Sequence, residues 1–473
     1  MDNLDYKQLA QAMLGELQGV KTKAAGTAPT AQPGHGSGGL FSHPALERPL
    51  FSAFVLPNRG LASVLPARPA RTENPLFGLV TGVTDTTGSE PTGPCDDPPY
   101  AGLMKLCMHQ FVFGRLSRMS RVFELDSFGK MKDRGDHLDL QLLNAPMITN
   151  APTMPGVSDP GATVSNDIAK GLFELAVAWS RDFARLIYTG TPTNNTWQSG
   201  YKEFYGLDTL INTGYRDAVT STACAAADSL VRSFGDVQVQ ADTNRMVNTI
   251  TGIYHYLKNL AEETNLAPVE WAIVMRPELF YIITAYWPCS YLSYRCTLAD
   301  GSSSVVDSGD AIAMRDAMRA GQYLMIDGER VNVVLDNAVA ETNVGAGVYE
   351  SQIYFVPLTV LGGTPVTYWE YFDYSTPNGL MAAAQAFAPA GSYTISDNGR
   401  FAWHMKPPSN WCVQLVAKTE PRLLLLTPFI AARLTDVRYT PYVHERDWDP
   451  DGTYFVNGGG ISQAKPSYYS PTA

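Results

Sequence analysis

A glycine-rich stretch is the first feature of the sequence whose spacing could do chemistry. Gly34, Gly36 and Gly39 stand at positions one, three and six of a hexapeptide, which is the glycine pattern of a dinucleotide-binding loop. Such a loop binds a pyrophosphate only where a strand turns into a helix, whose first N–H groups point at the phosphates. Here the hexapeptide ends the stretch Lys21–Gly39, whose alanine, threonine, proline and glycine are typical of a flexible linker. We therefore interpret these glycines as linker residues.

The acidic stretch Asp447–Gly452 has the form of the beginning of a calcium-binding loop. Carboxylates at positions one, three and five, followed by glycine at six, suit that geometry. Position twelve, where a bidentate glutamate is required, is Gly458, and Pro450 stiffens the loop. We interpret the stretch as a solvated acidic turn and leave a weak divalent-ion site open.

The cysteines and histidines form no motif of a metal site or of a nucleophile. The sequence has no Cys-x-x-Cys pair, no His-Glu-x-x-His, no Gly-x-Ser-x-Gly and no Walker loop. We expect no catalytic residue, no cofactor and no metal, and hence a protein that is not an enzyme. His255 is interpreted as a packed or hydrogen-bonded core histidine, and Glu262 and Glu263 as a solvated helix end. In a reducing cytoplasm we expect the cysteines to be buried, small apolar residues: Cys95, Cys107, Cys224, Cys289, Cys296 and Cys412.

Composition and charge limit the classes of partner. The chain has 473 residues with 45 % hydrophobic residues and a net charge of −11, so it can bury a large core and repels phosphate backbones. Met1–Asp5 is acidic where a secretory leader is basic, so we expect a protein made in a cytoplasm. The longest apolar runs, such as Leu423–Leu426, are far shorter than the roughly 20 residues that span a bilayer, and no membrane partner is expected.

The stretch Leu40–Pro99 combines many prolines and glycines with apolar side chains but has no helical or strand periodicity. Such a segment cannot build a core of its own. We predict an extended arm that lies on another surface, that of a neighbouring subunit. The arm residues predicted to make this contact are Phe41, Leu50, Phe51 and Phe54.

The following segment is predicted to be a long, highly charged hairpin. Val122–Leu125 and Leu138–Leu142 have strand character, and a turn is expected between Gly129 and Gly135. Because one isolated hairpin is barely stable in water, this hairpin also requires a partner. The charges predicted to contact neighbouring subunits are Arg115, Arg118, Arg121, Lys130, Lys132, Arg134, Asp133 and Asp136.

Hydrophobic periodicity predicts the remaining elements. Apolar residues from Ile168 to Leu186 recur at steps of three and four, which indicates one long helix ended by Gly190 and Pro192. Further helices are predicted at Thr243–Glu263, Pro277–Tyr286, Ala311–Ala320 and Gly379–Ala386. Strands are predicted at Trp271–Met275, in a hairpin over Tyr323–Asp336 that turns at Asp327-Gly328, and at Gln352–Val360, Val366–Phe372, Trp411–Lys418 and Leu423–Phe429.

The order of these elements resembles the Hong Kong 97-type fold of the major capsid proteins of tailed bacteriophages. Asp167–Gly190 is similar to the family's spine helix with its terminal glycine, and Phe204–Leu207 resembles the Gly-Leu loop that follows it. Glu270–Phe280 is similar to the family's strand-to-helix segment, and Tyr323–Val334 resembles the hairpin of its axial domain. The likeness covers about Leu103–Tyr442.

The resemblance implies an α+β fold with an N-terminal arm, an extended hairpin (E-loop), a peripheral domain that holds the spine helix, and an axial domain. Mapped onto this sequence, the arm is 1–102, the hairpin 103–160, the peripheral domain 161–236 and 409–444, the axial domain 237–408, and the C-terminal tail 445–473.

The resemblance further implies a structural protein that assembles with itself into hexamers and pentamers of an icosahedral phage head enclosing double-stranded DNA, without sequence-specific binding. It implies portal and scaffolding partners, leaves a decoration protein open, and places the protein in the virion after assembly in the host cytoplasm. Since only Tyr6–Val20 has a helical pattern near the start, we expect a separate scaffolding protein and no large cleaved segment.

Two other functions stay open. An encapsulin-like nanocompartment shell has the same fold, although encapsulins are usually shorter and lack a long arm. A cytoplasmic enzyme or ligand-binding protein, with a site built from residues far apart in the sequence, belongs to a different class.

Overall fold

The computed structural model describes most of the predicted helices and strands, in fourteen separate ranges of the chain. In those ranges, no helix is both long enough and apolar enough to cross a lipid bilayer. The described residues are 49–50, 60–70, 75–83, 104–119, 123–124, 141–142, 178–193, 202–237, 240–292, 308–345, 348–374, 393–395, 402–409 and 412–441.

Strands dominate the described part of the chain. In order they are β1 (Pro49–Leu50), β2 (Ala67–Pro69), β3 (Leu76–Val83), β4 (Met104–Gln110), β5 (Leu116–Met119), β6 (Phe123–Glu124), β7 (Gln141–Leu142), β8 (Leu230–Asp236), β9 (Glu270–Met275), β10 (Tyr323–Ile326), β11 (Glu329–Leu335), β12 (Glu341–Gly345), β13 (Val348–Val360), β14 (Thr364–Pro365), β15 (Thr367–Tyr371), β16 (Tyr393–Ile395), β17 (Ala402–Ser409), β18 (Cys412–Thr419), β19 (Pro421–Leu425) and β20 (Ala432–Tyr439).

The described residues contain helices as well as strands, so the fold is α+β as the sequence predicts. They are α1 (Leu61–Val64), α2 (residues 178–189), α3 (Leu207–Leu210), α4 (Gln240–Glu263), α5 (Pro277–Leu292) and α6 (Ser308–Gly321). Helix α2 is the described part of the predicted spine helix, whose beginning lies outside the described residues.

An eight-stranded mixed sheet forms the centre of the fold. Its strands lie in the order β10-β11-β9-β13-β20-β8, with β12 and β14 also paired to β13. The pairs β9–β11 and β8–β20 are parallel, while β13 runs antiparallel to its partners. Residues Trp271–Met275 of β9 are all buried, so both faces of the sheet are covered at this strand.

Helices α4, α5 and α6 cover one face of the central sheet. In α4, Met246, Ile250, Ile253 and Leu257 recur at steps of four, three and four, and all are buried against this face. Side chains of alternate residues along β9, such as Ile273, reach the same core from the sheet. The prediction of α4 from its apolar spacing is confirmed.

The opposite face of the central sheet packs on a second core. Its sheet side includes Val274 and Tyr354, and α2 contributes Phe183, Leu186 and Ile187. A three-stranded sheet of order β19-β15-β2 closes this core on its far side. Helix α2 is therefore held between the loop that follows it and two sheets.

Part of the predicted arm belongs to the core of the same chain. Leu61 and Leu65 are buried in the second core, and β2 pairs with β15 in parallel. The expectation that apolar residues throughout Leu40–Pro99 lie on another surface is wrong for residues 60–70, because β15 offers a free edge to β2. The strand β3 also pairs with β4 across the predicted boundary between residues 102 and 103.

The charged hairpin pairs differently from the prediction. The strand β6 does not pair with β7 in the described residues: β5 and β6 both run antiparallel to β18, whereas β7 pairs with β1 of the arm. The strands β5, β6, β16, β17 and β18 form a five-stranded sheet. The local turn signal near Gly129 suggested a nearby partner, but the partner lies nearly 300 residues along the chain.

Two smaller predictions need correction. Helix α5 continues through Pro288 to Leu292 instead of ending at Tyr286. The indole N–H of Trp287 donates to the carbonyl oxygen of Met325 at 2.9 Å, which fastens this end of the helix to β10. The predicted strand Leu423–Phe429 ends at Leu425 and is followed by a 3-10 turn over Pro428–Ile430.

The two remaining corrections concern single side chains. Cys107 and Cys224 form a disulfide, so they are not the free buried thiols that were expected. His255 is half exposed and contacts the carboxylate of Asp327, so it is not a core residue. Glu262 and Glu263 are exposed, as predicted. The predicted helix at Gly379–Ala386 lies outside the described residues.

Candidate functional site

A buried carboxylate joins three separate parts of the chain. The hydroxyl of Tyr188, at the end of α2, donates to Asp336 at 2.6 Å, and the backbone N–H of Leu61 donates to the same carboxylate at 3.0 Å. The N–H of Ala338 donates to its other oxygen at 2.8 Å. Asp336 directly follows β11, so one side chain connects the arm, the spine helix and the central sheet.

The approach of the arm to this carboxylate is very close. A β-carbon built on Gly60 would lie 1.8 Å from an oxygen of Asp336, so only glycine leaves room there. Burial raises the pKa of the Asp336 carboxyl, although the three hydrogen bonds that it accepts act in the opposite direction. Burial also raises the pKa of the Tyr188 hydroxyl, and the adjoining Asp336 carboxylate raises it further. The tyrosine therefore remains a hydrogen-bond donor over the whole physiological pH range.

A buried arginine holds the loop after Asp336 in place. The guanidinium of Arg276 donates to the carbonyl oxygens of Asn337 and Val339 at 2.8 and 2.9 Å. It also lies 3.3 Å from the carboxylate of Glu341. The backbone next to Asp336 is therefore fixed from the side of β9.

Two glycines form the contact between the spine helix and the loop that follows it. The N–H of Gly206 donates to the carbonyl oxygen of Gly190 at 2.8 Å. A β-carbon on Gly206 would lie 2.6 Å from the backbone of Gly190, and one on Gly190 would lie 2.4 Å from the carbonyl oxygen of Phe204. Both positions thus exclude any side chain, which explains why the helix must end in glycine here.

The helix after Gly206 is anchored to the central sheet by polar contacts. The hydroxyl of Tyr354, on β13, donates to Asp208 at 2.8 Å, and the guanidinium of Arg433, on β20, donates to the same oxygen at 2.8 Å. Burial raises the pKa of the Tyr354 hydroxyl, and the neighbouring Asp208 raises it further. The Gly-Leu loop is thereby tied to the two central strands of the sheet.

Ion pairs fasten the start of the predicted charged hairpin to the body of the protein. The Glu420 carboxylate accepts from Arg115 at 3.0 Å and from Lys418 at 2.6 Å. The N–H of Arg115 donates to the carbonyl oxygen of Lys202 at 2.6 Å, and the N–H of Gly114 donates to that of Pro421 at 2.8 Å. The chain is therefore fixed to the body of the protein just before β5.

The β3–β4 hairpin has one covered face and one exposed apolar face. Alternate residues point inward, where the rings of Phe77 and Phe111 meet edge to face at 5.4 Å. The outward residues include four large apolar side chains that are 48–69 % exposed: Leu76, Val80, Met104 and Leu106. We call these four residues the outer hairpin face. An exposed apolar stripe of this kind marks an interaction surface.

The residues predicted to contact neighbouring subunits are only partly described. Arg115 is exposed and bonded within its own chain, Arg118 lies in β5, and Leu50 lies in β1, where it pairs with Leu142. The other nine lie outside the described residues, as does the acidic stretch Asp447–Gly452: Phe41, Phe51, Phe54, Arg121, Lys130, Lys132, Asp133, Arg134 and Asp136. Their role in contacts between subunits stays a prediction.

Sequence reasoning missed the residues that hold the site together. Asp336 ends a predicted hairpin and has no charged neighbour within three residues, so a buried role had no local signal. The outer hairpin face had a partial signal in the sequence, because the apolar residues Met104, Leu106 and Met108 occupy every second position of Met104–Gln110. The prolines and glycines between them directed the interpretation toward an irregular arm.

Comparisons with known proteins give structural likenesses at low sequence identity. No family model and no curated protein matches the chain. The capsid of a native GTA particle is 10 % identical with a TM-score of 0.42, over 86 % of this chain and 99 % of that chain. The capsid of cyanophage A-1(L) is 9 % identical with a TM-score of 0.42, over 78 % and 90 % of the two chains.

An encapsulin gives a match of the same quality. The holo-SrpI encapsulin complex from Synechococcus elongatus PCC 7942 is 10 % identical with a TM-score of 0.41, over 85 % of this chain and 95 % of that chain. These three structures similar to this chain are thus two capsids and an encapsulin.

Proposed function

We propose that this chain is the major capsid protein of a tailed bacteriophage. Its copies assemble into hexamers and pentamers of an icosahedral head that encloses double-stranded DNA. The protein is structural, and its work is the geometry of its contacts with other copies of itself.

The observation that carries this proposal is the contact between Gly190 and Gly206. The sequence resembles the Hong Kong 97-type capsid fold first in two motifs, a spine helix with a terminal glycine and a Gly-Leu loop. The N–H of Gly206 donates to the carbonyl oxygen of Gly190, and neither position has room for a β-carbon. The two motifs therefore form one rigid corner between α2 and the central sheet.

The outer hairpin face supports assembly. Four large apolar side chains on one face of a two-stranded hairpin expose more apolar surface than isolated surface residues would. A neighbouring subunit that covers them would gain roughly 25 cal/mol for each Å² of apolar surface buried. The arm and the charged hairpin are proposed to extend this contact onto further subunits.

The remaining partners follow from the same proposal. A separate scaffolding protein and a portal would act during assembly in the host cytoplasm, and the finished protein would lie in the virion. The net charge of −11 suits an inner wall that does not adhere to packaged DNA.

The proposal is tested by the size of the purified protein. Sedimentation velocity over a range of concentrations should show rings or closed shells for the native chain and a smaller assembled fraction for Val80→Glu. The matched control is Val344→Glu, at an apolar residue of β12 that is 46 % exposed, against 55 % for Val80. If both variants assemble like the native chain, the outer hairpin face is not a subunit contact. A native chain that stays a monomer under all conditions contradicts the proposed function.

A further inference from the structure

The disulfide joins two parts of the chain that are far apart in sequence. Cys107 lies on the inner face of β4, and Cys224 lies in the loop 212–229, 117 residues further on. Their α-carbons are 6.2 Å apart, within the usual range for a disulfide. The bond is surrounded by Ala227, Leu79 and Tyr215, and it fixes the β3–β4 hairpin to this loop.

Contacts other than the disulfide already align the strand and the loop. The N–H of Met108 donates to the carboxylate of Asp217 at 2.7 Å, and the N–H of Ala218 donates to the carbonyl oxygen of Met108 at 2.8 Å. Asp217 also accepts from the N–H groups of Val219 and Thr220, at 2.9 and 2.6 Å, which shapes the loop itself. The two cysteines therefore face each other because of these bonds, and the disulfide can close without a rearrangement of the backbone.

The two cysteine residues differ slightly in their exposure to solvent. Cys107 is fully buried, whereas Cys224 is 9 % exposed. A small oxidant or reductant from the solvent therefore reaches Cys224 first. Cys107 can only react second, from the protein side.

The charge beside the pair disfavours free thiolates. One carboxylate oxygen of Asp217 and the two sulfur atoms all lie within 4.8 Å of one another. Hydrogen bonds from the N–H groups of Thr220 and Met108 hold the pKa of Asp217 at about 2, so this carboxylate is charged at neutral pH. A thiolate next to it would add a second negative charge, whereas a disulfide adds none.

We propose that Cys107 and Cys224 form a redox lock, a dithiol while the subunit is made and a disulfide once the shell meets an oxidising medium. The proposal rests on the proposed function, because a shell built in a reducing cytoplasm and then released passes between two redox environments. The oxidant is a low-molecular-weight disulfide. The Cys224 thiolate attacks it and releases one small thiol, and the Cys107 thiolate then displaces the second small thiol. Two protein thiols are oxidised, one external disulfide is reduced to two thiols, and the hairpin becomes covalently bound to the loop.

By their chemical type, Cys107, Cys224 and Asp217 also suit a metal ion, and the test separates the two outcomes. A thiolate pair and a carboxylate suit zinc, but a metal would keep the sulfur atoms apart and therefore excludes the redox lock. The bond between the two sulfur atoms in the structure favours the lock.

The experiment follows the two thiols from the cell to the oxidised protein. Cells expressing the full chain are quenched with N-ethylmaleimide under denaturing conditions, and peptides containing Cys107 and Cys224 are examined by mass spectrometry. Purified protein is then treated with oxidised glutathione, and its melting temperature is compared with that of a reduced sample. Cys107→Ser, Cys224→Ser and the double variant are treated in parallel, and zinc is measured in the untreated protein.

The redox lock predicts alkylated thiols in the cell, one Cys107–Cys224 disulfide after oxidation, and a rise of several degrees in the melting temperature. All three serine variants should lack this rise. The proposal is overturned by a disulfide that is already complete in the cell, by thiols that never pair, by oxidation without a thermal shift, or by one zinc ion per chain.

Assembly is measured on the same samples by sedimentation. If the chain forms the disulfide and its melting temperature rises but it never assembles, the proposed function is contradicted. The existence of the disulfide is not contradicted by that result. Shells that assemble but whose Cys107 and Cys224 never pair after oxidation contradict the redox lock alone.

Discussion

The hydroxyl of Tyr188 donates a 2.6 Å hydrogen bond to the buried carboxylate of Asp336. This bond connects the last turn of the spine helix with the end of β11. Since the N–H of Leu61 binds the same carboxylate, the arm is held at the same point. In a shell subunit, such a junction would fix the angle between the elements that meet neighbouring copies.

Removal of the Tyr188 hydroxyl should weaken this junction without changing the packing of the ring. Tyr188→Phe leaves Asp336 with one donor fewer in a buried place, so we expect a loss of about 1.5–3 kcal/mol in the free energy of unfolding. Urea denaturation measures this loss. The matched control is Tyr256→Phe, because Tyr256 is 52 % exposed. Equal stabilities of the two variants would contradict the role of the bond.

The contact between Gly190 and Gly206 gives a second test. In Gly206→Ala the new methyl group would lie 2.6 Å from two backbone atoms, and neither can move without shifting the helix end. We expect the free energy of unfolding, measured by thermal or urea denaturation, to fall by about 2–4 kcal/mol. Gly252→Ala, in the exposed part of α4 with no atom within 4 Å, should instead be neutral or stabilising by about 0.5–1 kcal/mol. A tolerated Gly206→Ala would show that the corner is not rigid.

The loop that contains Asp217 should respond to acid in a predictable direction. Its folded-state pKa of about 2 lies below the ordinary value of 3.8. Its charged form therefore contributes stability that is complete above about pH 4 and is lost as the pH falls toward 2. We expect the difference in melting temperature between the native chain and Asp217→Asn to shrink over this interval.

Calorimetry at a series of pH values measures that difference. Asp316→Asn is the control for the loss of one negative charge, since the side chain of Asp316 is 59 % exposed. A difference that stays constant or grows in acid would contradict the assignment of Asp217 as a carboxylate that its hydrogen bonds keep ionised.

The charges of the long hairpin are tested by reversal. Arg118→Glu and Arg121→Glu together should lower the yield or the heat stability of assembled particles, because each lost pair costs up to about 1 kcal/mol and a shell repeats every contact many times. The double change of Arg216 and Arg232 to Glu alters the net charge equally at two exposed positions outside the hairpin. Unchanged particles in the first variant would show that hairpin charges do not hold subunits together.

Elements with a local signal could be predicted from the sequence. The apolar residues of α4, spaced three and four apart, were sufficient to predict this helix. The Asp327-Gly328 pair was sufficient to predict the turn between β10 and β11, where both residues have a positive φ. The terminal glycine of the spine helix and the Gly-Leu loop were also recognised, and the structure brings them into contact through Gly190 and Gly206.

Elements without a local signal could not be predicted. The pairing of β5 and β6 with β18, the pairing of β2 with β15, and the Cys107–Cys224 disulfide all join distant parts of the chain. Such contacts depend on which strand edges remain unpaired once the cores have formed. The spacing of residues along the sequence does not indicate which edges these are. The burial of Asp336 follows in the same way from three donors on three different elements.

Negative-stain electron microscopy of the purified chain, together with light scattering, tests the central claim most directly. A shell subunit predicts closed particles tens of nanometres wide, or free hexameric and pentameric rings. A homogeneous monomer of about 52 kDa that never assembles, with or without a scaffolding partner, would contradict it.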